Sequence, residues 1–177
     1  MQLDEFEEWR APPTSPYVPG SMKLLVPRDA LHATFQLLTV AGPLESCVFW
    51  YGRRDGLNGT VTAVRAPAQH STRFNYHVDE AARSRMAATI PDDLRPLAQI
   101  HSHPGHMVEH SRYDDAMVSS RRVLSLVFPH YGRVTSAWPL GIGVHEWQRD
   151  YWHLLAPDIA VRRVELTSGQ VSVGDLR

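Results

Sequence analysis

Cysteine is almost missing from this chain of 177 residues. Cys47 stands alone, so no disulfide can form within the chain, and a reducing, cytoplasmic setting is the expectation. Lysine is almost missing too: Lys23 is the only one, and arginine supplies the rest of the 18 basic residues. That usage fits a GC-rich genome; a sharper reading is avoidance of acceptor lysines beside a lysine-modifying pathway. No run of about 18 apolar residues exists to span a bilayer. The first ten residues carry Asp4, Glu5, Glu7 and Glu8 and lack the apolar core of a secretory signal. A basic surplus is lacking as well, with a net charge of −1, which argues against nucleic acid and membrane surfaces as partners. There is no internal repeat.

What is present suits one ordinary soluble domain. Hydrophobic residues make up 43% of the chain and charged residues 21%, enough for a single substantial core. Residues 1–21 differ from the rest, being acidic and then proline-rich (Pro12, Pro13, Pro16, Pro19), so an extended leader is expected there and a folded domain over 22–177. Phe6 and Trp9 could dock on a partner or on the domain, and removal of residues 1–21 is expected to leave the fold intact.

Within the domain, strands are expected over 23–26, 46–51, 59–66, 97–102 and 123–128. A strand pair, 134–147 with 151–155, is expected around Gln148-Arg149-Asp150, and a last strand over 159–166. Helices are expected over 28–40, 79–89 and 111–122. Interleaved strands and helices define an α/β or α+β class, a mixed β-sheet with helices packed on it.

The chemistry concentrates in His101-Ser102-His103-Pro104-Gly105 and the segment that follows, to Asp114. Two histidines at i and i+2 on a strand point to one face. Pro104-Gly105 then breaks the strand. Ser111 reads as a helix N-cap with Asp114 three residues on, a pattern that needs no metal by itself. Following His-x-His at a loop's distance, the same carboxylate completes a set of three donors. Three protein ligands with one open position is the pattern of a catalytic zinc site, whereas a structural site usually has four.

His101, His103, Ser111 and Asp114 together resemble the signature of the JAMM, or JAB1/MPN, zinc metalloproteases. Glu45 in Leu44-Glu45-Ser46-Cys47-Val48-Phe49-Trp50-Tyr51-Gly52 matches the family's upstream glutamate, and Val48 departs from it where relatives often have glycine. The resemblance covers roughly residues 23–155 and implies an MPN/JAB, cytidine-deaminase-like architecture. It implies one Zn2+ per chain on His101, His103 and Asp114, with Glu45 as general base and Ser111 as oxyanion donor. The implied reaction is hydrolysis of a peptide or isopeptide bond. The compact chain resembles the stand-alone bacterial members, which are often encoded with E1-like and E2-like enzymes in ubiquitin-like conjugation operons, some of them antiphage. A ubiquitin-like protein or its conjugate is therefore the substrate the resemblance implies.

Other readings remain at this stage. The same chemistry could free the tail of a sulfur-carrier protein. A metal-free MPN scaffold is disfavoured because all five signature residues are present, and a DNA-repair relative because His101-Ser102-His103-Pro104-Gly105 differs from that group's motif. His106 and His110 read as loop or supporting residues, and Cys47 as a packed thiol. His70, His77, His130, His145 and His153 lack ligand spacing, while Trp138, Trp147, Tyr151 and Trp152 read as packing for the late strands.

Overall fold

Consecutive residues of one strand serve two separate cores. In β2 (Cys47–Asp55), Cys47, Phe49 and Tyr51 join one apolar cluster while Val48 and Trp50 join another. Side chains alternate across a strand, so a sheet carrying such a strand is covered on both faces. The computed structural model describes residues 10–133 and 137–177. Phe6 and Trp9 lie outside the described residues, as do positions 134–136 of the expected late strand.

The main sheet has nine strands. Besides β2 it contains β1 (Lys23–Pro27), β3 (Asn58–Ala66), β6 (Arg95–Ser102), β7 (Leu124–Phe128), β8 (Gly143–Gln148), β9 (Tyr151–Leu154), β10 (Val164–Thr167) and β11 (Ser172–Asp175). Its order is β10-β1-β3-β2-β6-β7-β8-β9, with β11 also pairing β3. Pairing is mixed: β2 runs antiparallel to β3 and β6, whereas β6 and β7 are parallel. Two short strands, β4 (His70–Ser71) and β5 (Tyr76–His77), form a separate hairpin.

On one face lies α1 (Arg28–Thr39). It buries Ala30, Leu31, Ala33, Thr34, Leu37 and Leu38, the spacing of an apolar helical stripe. Thr34 Oγ1 accepts a hydrogen bond of 2.7 Å from the Trp50 indole, which gives a buried polar group its partner. Ala160 of α4 (Pro157–Arg163) packs into the same cluster. The opposite face carries α2 (Glu80–Ala87), capped by Asp79, with Ala82 and Met86 in the second cluster. Met117 of α3 (Arg112–Met117) packs against that cluster too.

Three expectations need correction. The helix after Ser111 stops at Met117 rather than near 122. There the Gln99 side chain accepts from both the N–H and the hydroxyl of Ser119, drawing the chain out of helical register. The expected strand over 159–166 is α4 followed by β10. Pro157 in its first turn, Asp158 beside it and Arg162-Arg163 in its last turn favour a helix. The late strand begins only at Gly143, because turns occupy the described residues 138–141 before it. β11 was not anticipated.

Candidate metal centre

Backbone register assembles the site. Cys47 pairs with His101, and the ladder runs on past β2, where the Ser102 N–H donates to Ser46 O at 3.1 Å. Continued one step further, that antiparallel register brings Glu45 to His103. Parallel pairing of β6 with β7 requires a crossover between them, and α3 lies in that crossover with Asp114 in its first turn. The four residues thus gather beyond the carboxyl ends of two parallel strands, the usual place for a site in such sheets.

Local bonds hold each side chain. Ser111 Oγ accepts from the Asp114 N–H at 3.1 Å, and Asp114 Oδ2 accepts from the Ser111 N–H at 2.7 Å and from its hydroxyl at 2.8 Å. This reciprocal capping box orients the carboxylate as well as starting the helix. His103 Nδ1 lies 3.1 Å from Met107 O, which places the ring proton there and leaves Nε2 as a free donor atom.

Nε2 of His101 and Nε2 of His103 lie 3.1 Å apart. Asp114 Oδ1 lies 3.2 Å from the first, and Asp114 Oδ2 3.4 Å from the second. A tetrahedral ion with arms of about 2.0–2.1 Å has ligand-to-ligand edges of about 3.3 Å. The two imidazole nitrogens are close to that spacing, one donor atom from each of the three residues lies within 4.8 Å of the others, and this cluster could hold a metal ion. Glu45 is not one of the three donors.

The electrostatics also call for a cation. Glu45 and Asp114 are both buried, and among the described residues neither makes an ion pair with lysine or arginine. Burial pushes Glu45 up to about 8, with His103 opposing and Asp114 adding to the shift. Burial works the same way on Asp114, but the charges and hydrogen bonds of His101 and His103 outweigh it and hold that carboxyl well below its usual range. His101 is lowered by burial despite Asp114, which favours the neutral ring with a lone pair to offer. For His103, burial opposes protonation, yet Asp114 and Glu45 together raise it.

Behind the donors lies a buried polar layer. His110 Nδ1 sits 2.9 Å from Asp115 Oδ1, and its Nε2 sits 2.8 Å from Ser125 Oγ. Its ring stacks on His145 with centroids 3.9 Å apart and lies 5.6 Å from that of His101. Burial drives both His110 and His145 well below the usual histidine range, so both are neutral. Asp115 is raised by burial to about 6, with Arg10 opposing and Asp114 contributing. Neither ring nitrogen of His145 has a hydrogen-bond partner among the described residues.

The rim closes through Tyr131. Its N–H donates to His103 O at 2.8 Å, and its hydroxyl donates to Arg73 O at 3.0 Å. Neighbouring Thr72 O accepts from the Glu45 N–H at 2.8 Å. His106 is exposed, and Cys47 is a fully buried thiol whose pKa burial raises. The structure brings Glu45, His101, His103, Ser111 and Asp114, all named from the sequence, into one cluster. Sequence reasoning missed Arg10 altogether and did not anticipate the layer formed by Asp115, His110 and His145, since none of these follows a recognisable spacing.

A mixed sheet with two histidines at the end of β6 and a carboxylate in the first turn of α3 agrees with a JAB/MPN-type domain. Residues 27–149 match the family model of prokaryotic homologues of the JAB domain, and the chain belongs to that family. The solution structure of protein DSY2949 from Desulfitobacterium hafniense shares the fold. Its TM-score is 0.55 at 16% identity, with 83% of this chain and 94% of that one covered. No curated protein matches the chain in sequence. JAB domains are commonly peptidases, and the family also includes inactive members. No helix among the described residues is long and apolar enough to cross a membrane.

Proposed function

We propose that this protein is a zinc-dependent peptidase or isopeptidase that removes or trims a ubiquitin-like protein in the cytoplasm. The observation that carries the reading is the set of three donor residues, two imidazole nitrogens 3.1 Å apart with one carboxylate oxygen against each, and a buried carboxyl beside it. In this reading His101, His103 and Asp114 hold the ion, and Glu45 and Ser111 do the proton and hydrogen-bond work. When bound, zinc supplies a Lewis acid that makes water a nucleophile near neutral pH.

Glu45 takes a proton from the attacking water and passes it to the leaving nitrogen. A buried carboxyl beside the donors is placed for both transfers. Ser111 donates its hydroxyl to the oxygen of the attacked carbonyl, which requires it to turn away from Asp114. E1-like or E2-like enzymes are the partners this reading implies, and the single buried thiol suits a reducing compartment.

The test pairs metal content with hydrolysis. Zinc-loaded protein is incubated with ubiquitin-like proteins carrying C-terminal extensions or isopeptide-linked to lysine. Wild type should cleave, and Glu45→Ala should keep about one zinc per chain and lose cleavage. Full activity in Glu45→Ala would remove the glutamate from the mechanism. Release of a sulfur-carrier tail, with no action on conjugates, would move the substrate to that second class.

A further inference from the structure

Arg10 lies in the proline-rich leader, outside the matched region 27–149, yet only 11% of its side chain is exposed. Its Nη1 donates to both oxygens of Asp115, at 2.8 and 3.1 Å. Nη2 donates to Trp152 O at 2.9 Å, and the guanidinium sits 4.3 Å over the Tyr151 ring. Arginine's planar fork satisfies all three at once, a geometry that a lysine cannot reproduce. Beyond it the leader follows β8 and β9. Tyr17 donates to Glu146, and the Gln148 amide bonds both the N–H and the carbonyl of Val18, each at 2.8 Å. Four prolines between Pro12 and Pro19 stiffen this stretch and reduce the entropy lost on docking.

Arg10 ends one residue away from a metal donor. Asp115 follows Asp114 in the first turn of α3, and its Oδ1 also accepts from His110, whose ring faces His101 at 5.6 Å. The contacts run from the leader through Asp115 to both the carboxylate-bearing turn and the His101 ring. Without the guanidinium, Asp115 would lose its cation beside the buried carboxylate of Asp114.

We infer that Arg10 is a positioning residue for the metal centre: the leader is a strap in cis that completes the site by holding Asp115 and His110. This rests on the zinc reading above. Outer-layer partners of metal ligands commonly change affinity 10–100-fold, so Arg10→Ala should weaken zinc binding about tenfold or more. Arg10→Lys should recover part of the loss, keeping the charge without the fork.

The experiment is competition between the full chain and a chromogenic chelator for Zn2+, beside melting curves of metal-free and zinc-loaded protein. Tyr17→Phe is the control, because it loosens the far end of the strap without touching Asp115. The inference expects a lower melting temperature but near wild-type zinc affinity for Tyr17→Phe, and weakened affinity for Arg10→Ala. Wild-type affinity in Arg10→Ala, or equal losses in both variants, would overturn it and leave the zinc reading standing. If wild type itself binds no zinc, both fall.

Discussion

Glu45 and Asp114 share one pocket and are driven in opposite directions by it, up to about 8 for the first and well below the usual range for the second. The difference lies in the partners: Asp114 faces two imidazole nitrogens within 3.4 Å, whereas burial dominates at Glu45. A carboxyl raised in the folded state binds its proton more tightly there than in the unfolded chain. Its favourable contribution is complete below about 4.5 and is lost as pH rises towards about 8. Glutamine cannot ionise. Metal-free Glu45→Gln should therefore gain on metal-free wild type between pH 5 and pH 8, by about 1 kcal/mol or more, in urea unfolding. A pH-independent difference would mean that solvent reaches this carboxyl freely. The signature residues were legible in the sequence because their spacing, His-x-His then Ser-x-x-Asp, is set by chemistry as well as by fold. Arg10 was not, since nothing in a lone arginine among prolines signals a partner 105 positions away.

The β8–β9 hairpin turns through Arg149 and Asp150, both with positive φ (51° and 59°) and both exposed. A two-residue turn of this hand favours Asn-Gly. Replacing the pair by Asn-Gly should stabilise the protein by roughly 0.5–1 kcal/mol, seen as a rise in melting temperature of a few degrees. A fall would show that the Arg149 or Asp150 side chain contributes more than its backbone strain costs. Hairpins of this kind, and the apolar stripe of α1, were readable from sequence because their signals are local. Errors fell where distant groups decide. α3 ends early because Gln99 of β6 captures Ser119, and no periodicity in 111–122 encodes that. α4 was masked by the apolar run Ile159-Ala160-Val161, which suits a buried strand or a helix equally; Pro157 was the available clue.

For the whole molecule, the proposed zinc site couples metal to fold. An ion that binds only the assembled donors stabilises the folded state in proportion to the logarithm of its concentration over Kd. Zinc at about 100 times Kd should add about 2.7 kcal/mol, and a chelator should remove it. His103→Ala should abolish the zinc-dependent part while leaving the metal-free melting temperature near that of wild type, since His103 stands at the rim of the site. An equal zinc response in that variant would place the ion elsewhere.

The donor types, their order, and the alternating strands and helical stripes that make a two-faced mixed sheet follow from the amino-acid sequence alone, because each depends on spacings within a few residues. Folding in three dimensions was needed to bring Glu45 beside His103, at the end of the antiparallel register of β2 and β6. It also decided that Asp115 and His110 form a layer tied to the leader through Arg10. Those contacts join segments far apart in the chain, and register, crossover and burial, rather than local pattern, bring them together.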